Sequence, residues 1–331
     1  MNEPRSIDGV LVQWGDRLFD RGNRRTSPTP SRLSGAGLRD RAAVIRQRIE
    51  RTIRHAPQVM VKVTGGGRGM VAIAAHLRYI SKDGRIPMED DRGNQREGRE
   101  AMLDVADQWR LGGSRIPEKS ELREAFNIVL SMPRGTDPLV VQRAAREFAQ
   151  AELAGHRYVM VLHDHQANPH VHLSVRAESR QGKRLNPRKA DLQRWRETFA
   201  ERLRSWGIDA EATRQATRGE QRNYPTMWRA KAQARGTLRQ ATSTTKSGAQ
   251  FSTSHKQALE SWVRIMEALA GSNEPADRKL AGAVRQHITK TPFAIDFLRS
   301  LKIARQQELS GMQPARIPTV TRSRPDPEIE R

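Results

Sequence analysis

The stretch "VLHDHQANPHVHLSV", residues 161–175, decides how the middle of this chain is put together. Two apolar, β-branched segments flank the link "DHQANP". A parallel crossover needs a dozen or more residues, so this link can only join antiparallel strands. Alternate residues of a strand share a face. His170 and His172 therefore point one way, while Val171, Leu173 and Val175 point into a core. His163 ends the first strand, and the short link, shaped by Asn168 and Pro169, returns it beside the other two. Three imidazoles converging from adjacent strands make a facial metal site with open positions for substrate. A lone His-x-His would fit a polar surface hairpin equally well; the third histidine argues against that.

Composition narrows the chemistry. The 331 residues contain no cysteine, which excludes disulfides, thiolate metal sites and thiol nucleophiles. Any metal must be held by nitrogen and oxygen. Lys plus Arg is 59 against 37 for Asp plus Glu, a net charge of +22, and the arginines are spread along the chain. Such a surface attracts polyanions, and nucleic-acid binding would depend strongly on salt. A solubilising surface or a ribosome-associated basic protein is the alternative. Aromatic residues are only 5% of the chain, so extensive base-stacking platforms are not expected. No apolar run approaches bilayer length and no secretory leader is visible, so a cytoplasmic location is expected.

Residues 1–35, rich in Arg, Ser, Pro and Gly, read as a mobile basic arm. Residues 38–55 have helical spacing with a basic face, either solvated or DNA-contacting. Strands are expected at 58–64, 125–133, 157–163 and 170–178, and helices at 70–82, 137–155 and 188–207. The fold class is α+β, an antiparallel β-sheet with helices packed on its faces and a helical, partly flexible C-terminal extension. Three divisions follow: a basic arm and helix (1–56), a central unit (57–222) and a basic extension (223–331), with helical patterns at 255–271 and 275–304.

"HDHQANPHVH" (163–172) resembles the three-histidine motif of conjugative relaxases, within the HUH endonuclease group. The likeness is to the mobilisation class P branch, which includes T-DNA border nucleases. "AAHLRYISKDG" (74–84) resembles that family's first motif, and "FNIVLSMPRGT" (126–136) its second, a strand ending in Ser. The three stand in the family's order across roughly residues 58–220. One departure is clear: the family usually has Asp two residues after the first His, where this chain has His165, with Asp164 just before it. Either Asp164 orients a ligand imidazole from a shifted position, or the site is weakened.

The resemblance implies a fold with a nicking site, and an activity: a plasmid relaxase that cuts one strand at a transfer origin through a 5′-phosphotyrosine intermediate. Of the three tyrosines, Tyr158 lies within a strand, Tyr224 sits beside Pro, and Tyr79 occupies the family's nucleophile position. His163 or Asp164 could take the phenolic proton. His163, His170 and His172 would hold the metal; the family implies Mg2+ or Mn2+, and nitrogen donors also suit Zn2+. Ser131 resembles the second-motif residue that positions DNA, or is an ordinary strand-end serine. "GGGRGM" (65–70) reads as an anion cradle with Arg68, or as a flexible turn. "RQGKRLNPRK" (180–189), with Lys183 and Arg184, would hold single-stranded DNA or form a solvated loop. Transfer-origin DNA, relaxosome accessory proteins and a type IV coupling protein are the implied partners. Two other readings remain: a metal-dependent DNA phosphodiesterase that uses water, and a non-catalytic DNA-binding mobilisation protein.

Overall fold

The computed structural model describes residues 6–19, 32–222 and 245–299, with isolated positions between 229 and 243. Tyr224 and the helical pattern beyond residue 299 lie outside the described residues. The chain order is α1 (Ile7–Phe19), α2 (Gly35–Ile53), β1 (Met60–Gly65), α3 (Met70–Ile80), β2 (Met88–Asp90), β3 (Gln95–Arg96), α4 (Arg99–Leu111) and β4 (Ala125–Ser131). It continues with α5 (Pro138–Glu152), β5 (His156–His163), β6 (His170–Ser179), α6 (Lys189–Ser205), α7 (Gln215–Arg218), α8 (Ala249–Ala270) and α9 (Pro275–Lys290).

The strands form one six-stranded sheet in the order β1-β4-β6-β5-β2-β3, and every pairing is antiparallel. The expected α+β class is the observed one. Period-two alternation divides the sheet's side chains between two cores. On one face Val61, Ile128, Leu130, Leu173 and Val175 pack against Phe148 of α5 and Trp195, Phe199 and Leu203 of α6. On the other, Val159 and Val161 meet Ile73, Leu77 and Ile80 of α3 and Met102, Val105 and Trp109 of α4. Helix α5 begins as its sequence dictates: Asp137 accepts a hydrogen bond from the Leu139 N–H, with Pro138 in the first turn.

A third core lies outside the sheet. Leu11, Leu18 and Phe19 of α1, Ile45 and Ile49 of α2, Trp262, Ile265 and Leu269 of α8 and Val284 of α9 pack together. The basic arm expected over residues 1–35 therefore contains a buried helix at Ile7–Phe19, and helices α8 and α9 of the extension close the same bundle. Much of the arginine face of α2 is taken up by ion pairs within the protein. Arg41 pairs with Asp16, Arg46 with Asp8 and Asp277, and Arg51 with Glu211. Those ion pairs join α2 to α1, to α9 and to the segment that follows α6. No described helix is long and apolar enough to cross a membrane.

Candidate active site

The histidine hairpin is as the sequence predicts. His163 stands directly opposite His170 in the β5–β6 register, and His172 lies two residues along β6 on the same face. Ring centroids are 4.6 Å apart for His163 and His172, 5.0 Å for His170 and His172, and 5.1 Å for His163 and His170. One ring nitrogen from each lies within 4.8 Å of the others, and this is the one such group of three found among the described residues.

The hydrogen bonds around the rings decide which nitrogens are available. A carbonyl only accepts, so His163 Nε2–H donates to the Ile80 carbonyl at 2.7 Å and His170 Nδ1–H donates to the Asn168 carbonyl at 2.9 Å. That leaves the lone pairs on His163 Nδ1 and His170 Nε2. His163 Nδ1 is buried and has no partner. An orphaned lone pair inside a cluster of imidazoles costs free energy unless something supplies a positive charge to it. Burial pushes His172 down to about 3, and His163 also lies below the usual histidine range because it is desolvated. Three imidazole nitrogens gathered within 4.8 Å of one another, two of them on rings whose burial disfavours the proton, are a donor set that a divalent cation can use. The residues present fit a metal ion.

The backbone supplies the outer support expected of an acid. Asp164 is exposed and makes no hydrogen bond or ion pair among the described residues, while the carbonyls of Ile80 and Asn168 hold the rings. His165, in the position where the family has Asp, lies with its ring 5.1 Å from that of His163.

The Ile80 carbonyl is free for this because of how α3 ends. Met70, Ile73, Leu77 and Ile80 form its buried stripe, and Ser81 stops it. Ser81 Oγ donates to the Leu77 carbonyl at 2.8 Å and accepts from the Gly84 N–H at 3.0 Å. In a continuing helix that N–H would have bonded to Ile80. Lys82, Asp83 and Gly84 follow with φ of 48°, 64° and 84°, a left-handed run that turns the chain away. Gly84 is required there, since a Cβ would meet the Gly98 carbonyl carbon at 2.4 Å. The sequence contained this signal in "ISKDG".

The same helix end presents Tyr79. Its side chain is 70% exposed, and its ring centroid lies 6.4 Å from that of His172 and 6.4 Å from that of His76. His76 escaped the sequence reading as more than a neighbour of Tyr79. Its Nε2 is buried without a partner, and burial pushes it down to about 4. Tyr158 is core, 5% exposed.

Ser131 lies opposite His170 in the β4–β6 register. It is buried, and its hydroxyl donates to the Pro169 carbonyl at 3.3 Å, tying β4 to the turn that precedes His170. The remaining cations expected at the site stand elsewhere. Arg68 precedes α3, about 16 Å from Tyr79 along the helix at 1.5 Å per residue. Part of the glycine stretch beside it is used within the protein: the Gly67 and Met70 N–H groups donate to the carbonyls of Ala125 and Pro117, and the Val71 N–H that follows donates to Glu118. Gly66 is small because the chain passes against the Ala125 carbonyl, which a Cβ would meet at 2.3 Å. Arg184 pairs with Glu124 and Glu178 at the opposite end of β6, roughly 20 Å from His172 at about 3.3 Å per residue. Lys183 is exposed beside it.

Residues 79–208 match the family model described as the relaxase MobA/VirD2-like nuclease domain. The match starts at Tyr79 and includes all three histidines. No curated protein matches the chain.

Proposed function

We propose that this chain nicks one strand of plasmid transfer-origin DNA by tyrosine transesterification, a reading supported by the match of residues 79–208 to the relaxase MobA/VirD2-like nuclease domain model. The observation that carries the reading is the exposed Tyr79 beside three imidazoles whose lone pairs are left unused. Tyr79 Oη forms a bond to phosphorus while the bond to the 3′ oxygen breaks. The DNA leaves with a free 3′-hydroxyl, and the protein keeps the 5′-phosphate as an ester that can later be rejoined without a nucleotide cofactor.

His163, His170 and His172 would hold a divalent ion (Mg2+ or Mn2+, with Zn2+ compatible), which when bound supplies positive charge against a non-bridging phosphate oxygen. The Ile80 and Asn168 carbonyls keep two of these rings in one tautomer each. Both nitrogens of His163 are then engaged, so we assign acceptance of the phenolic proton to the exposed Asp164. Ser131 acts through the turn that it ties. Arg68, Lys183 and Arg184 belong to contacts with DNA away from the cut.

Residues 57–222 are the proposed nicking unit, flanked by the 1–56 and 223–331 segments. A cytoplasmic site of action, alongside relaxosome accessory proteins and a type IV coupling protein, completes the proposal.

The test mixes purified protein with single-stranded oligonucleotides tiling the DNA around its gene, with Mn2+ or Mg2+. An SDS-resistant protein–DNA band that Tyr79→Phe abolishes is the expected result. Cleavage that survives Tyr79→Phe without a band would overturn it in favour of a hydrolytic phosphodiesterase. Binding without cleavage in either metal would point to an accessory protein.

A further inference from the structure

The sheet's register lines up residues that no motif connects. One row across β5, β6, β4 and β1 is His163–His170–Ser131–Met60, and the next is Val161–His172–Val129–Lys62. Paired residues of an antiparallel sheet share a face. Lys62 and Met60 thus stand on the histidine face, two strands from the metal-site candidates, at a strand spacing of about 4.8 Å.

Helix α3 covers this face near β5 but leaves the β1 end open. Met60 is 46% exposed, and Lys62 and Thr64 are exposed. Lys62 makes no ion pair among the described residues, although most arginines described above are paired. Val129 forms a flat, buried floor between Lys62 and His172. An unpaired ammonium on a flexible stem, about 10 Å across such a floor from His172, suits a phosphate on a strand that crosses it. Beside it, Met60 offers an exposed, polarisable apolar surface to a base.

We propose that the β1 end of the histidine face is the floor of the single-strand channel, with Lys62 holding a phosphate that flanks the scissile one. The proposal rests on the nicking reading for the identity of its ligand, but it can be tested without any cutting.

The probe is a fluorescein-labelled thymidine oligonucleotide about 20 nucleotides long, bound without divalent metal to the full chain carrying Tyr79→Phe. Anisotropy gives its affinity between about 50 and 200 mM salt. Adding Lys62→Met is expected to weaken binding several-fold and to reduce the slope of log K against log salt by about 0.7, the share of one single-strand phosphate. Lys62→Arg should keep the slope, which shows that charge rather than fold is being read. An unchanged slope in Lys62→Met, or the same loss appearing in Lys183→Met instead, would overturn the proposal. If the slope falls as expected but the wild-type chain never forms an SDS-resistant band, the transesterase reading fails while the channel stands.

Discussion

The two ends of β6 solve opposite problems with the same material. At one end, the carbonyls of Ile80 and Asn168 take one N–H from each of two histidines and leave the facing lone pairs empty. At the other, the Arg176 guanidinium, 3% exposed, is surrounded by the carbonyls of Trp109, Gly112 and Ser114 and the Ser114 hydroxyl. Burial lowers the pKa of both Arg176 and His172. The arginine remains charged and consumes its acceptors, so that end is closed and structural. His172 and His163 are pushed toward the neutral form, which keeps an acceptor to spare. The end proposed to be reactive differs from the closed one in which side of the hydrogen-bond ledger is left open, not in how polar it is.

The sharpest way to break this contrast is to remove a lone pair. His172→Ala should lower Mn2+ affinity, followed by calorimetry, and nicking by more than about 100-fold, with little change in melting temperature. Arg176→Met should do the reverse. It strips a charged donor from several buried carbonyls and should cost about 3 kcal/mol of stability in urea titrations, while nicking per folded molecule stays near wild type.

A third test uses a histidine far from the sheet. His287, 7% exposed in the helical bundle beside His55 and Trp262, is pushed down to about 4 by burial. The unfolded chain takes up this proton first, near its ordinary value of about 6.5, so the stabilisation is full above that pH. It is lost as pH falls toward about 4, by about 3 kcal/mol. Replacement by a neutral ring, His287→Phe, should flatten that part of the stability–pH curve, whereas added Mn2+ should not. The smallest effect is expected at Ser81. Ser81→Ala removes two buried hydrogen bonds and should cost about 1–2 kcal/mol, with a modest rise in the Mn2+ dissociation constant as the Ile80 carbonyl loses its fixed position.

The hairpin and the shared face of its three histidines were legible because they rest on local rules: a short link forces antiparallel pairing, and alternation fixes which side chains share a face. Tyr79 was singled out only by resemblance to the family's first motif, since helical spacing alone reads it as an ordinary surface aromatic. Helix α4 was equally local, with Met102, Val105, Ala106 and Trp109 at helical spacing, yet its charged surroundings hid it from the sequence reading. The bundle was not local at all. Leu11 and Trp262 are some 250 positions apart in the chain, and neither segment has enough apolar residues to announce a core by itself. Part of the glycine stretch is non-local in the same way. Its Gly67 and Met70 N–H groups are taken by the carbonyls of Ala125 and Pro117, and no short-range pattern reveals that pairing.

The left-handed turn after α3 has a mechanical meaning as well. A DNA strand joined to Tyr79 would drag on the last turn of a helix, the part that frays first under tension. Here that turn is tied twice, by Ser81 to Leu77 and Gly84 within the chain and by Ile80 to His163 on the central hairpin. If Tyr79 carries the strand and His163 the metal as proposed, force applied at the tyrosine would pass into the sheet through the metal-holding ring. A pulled strand would then load the proposed centre itself, before it could unwind the helix.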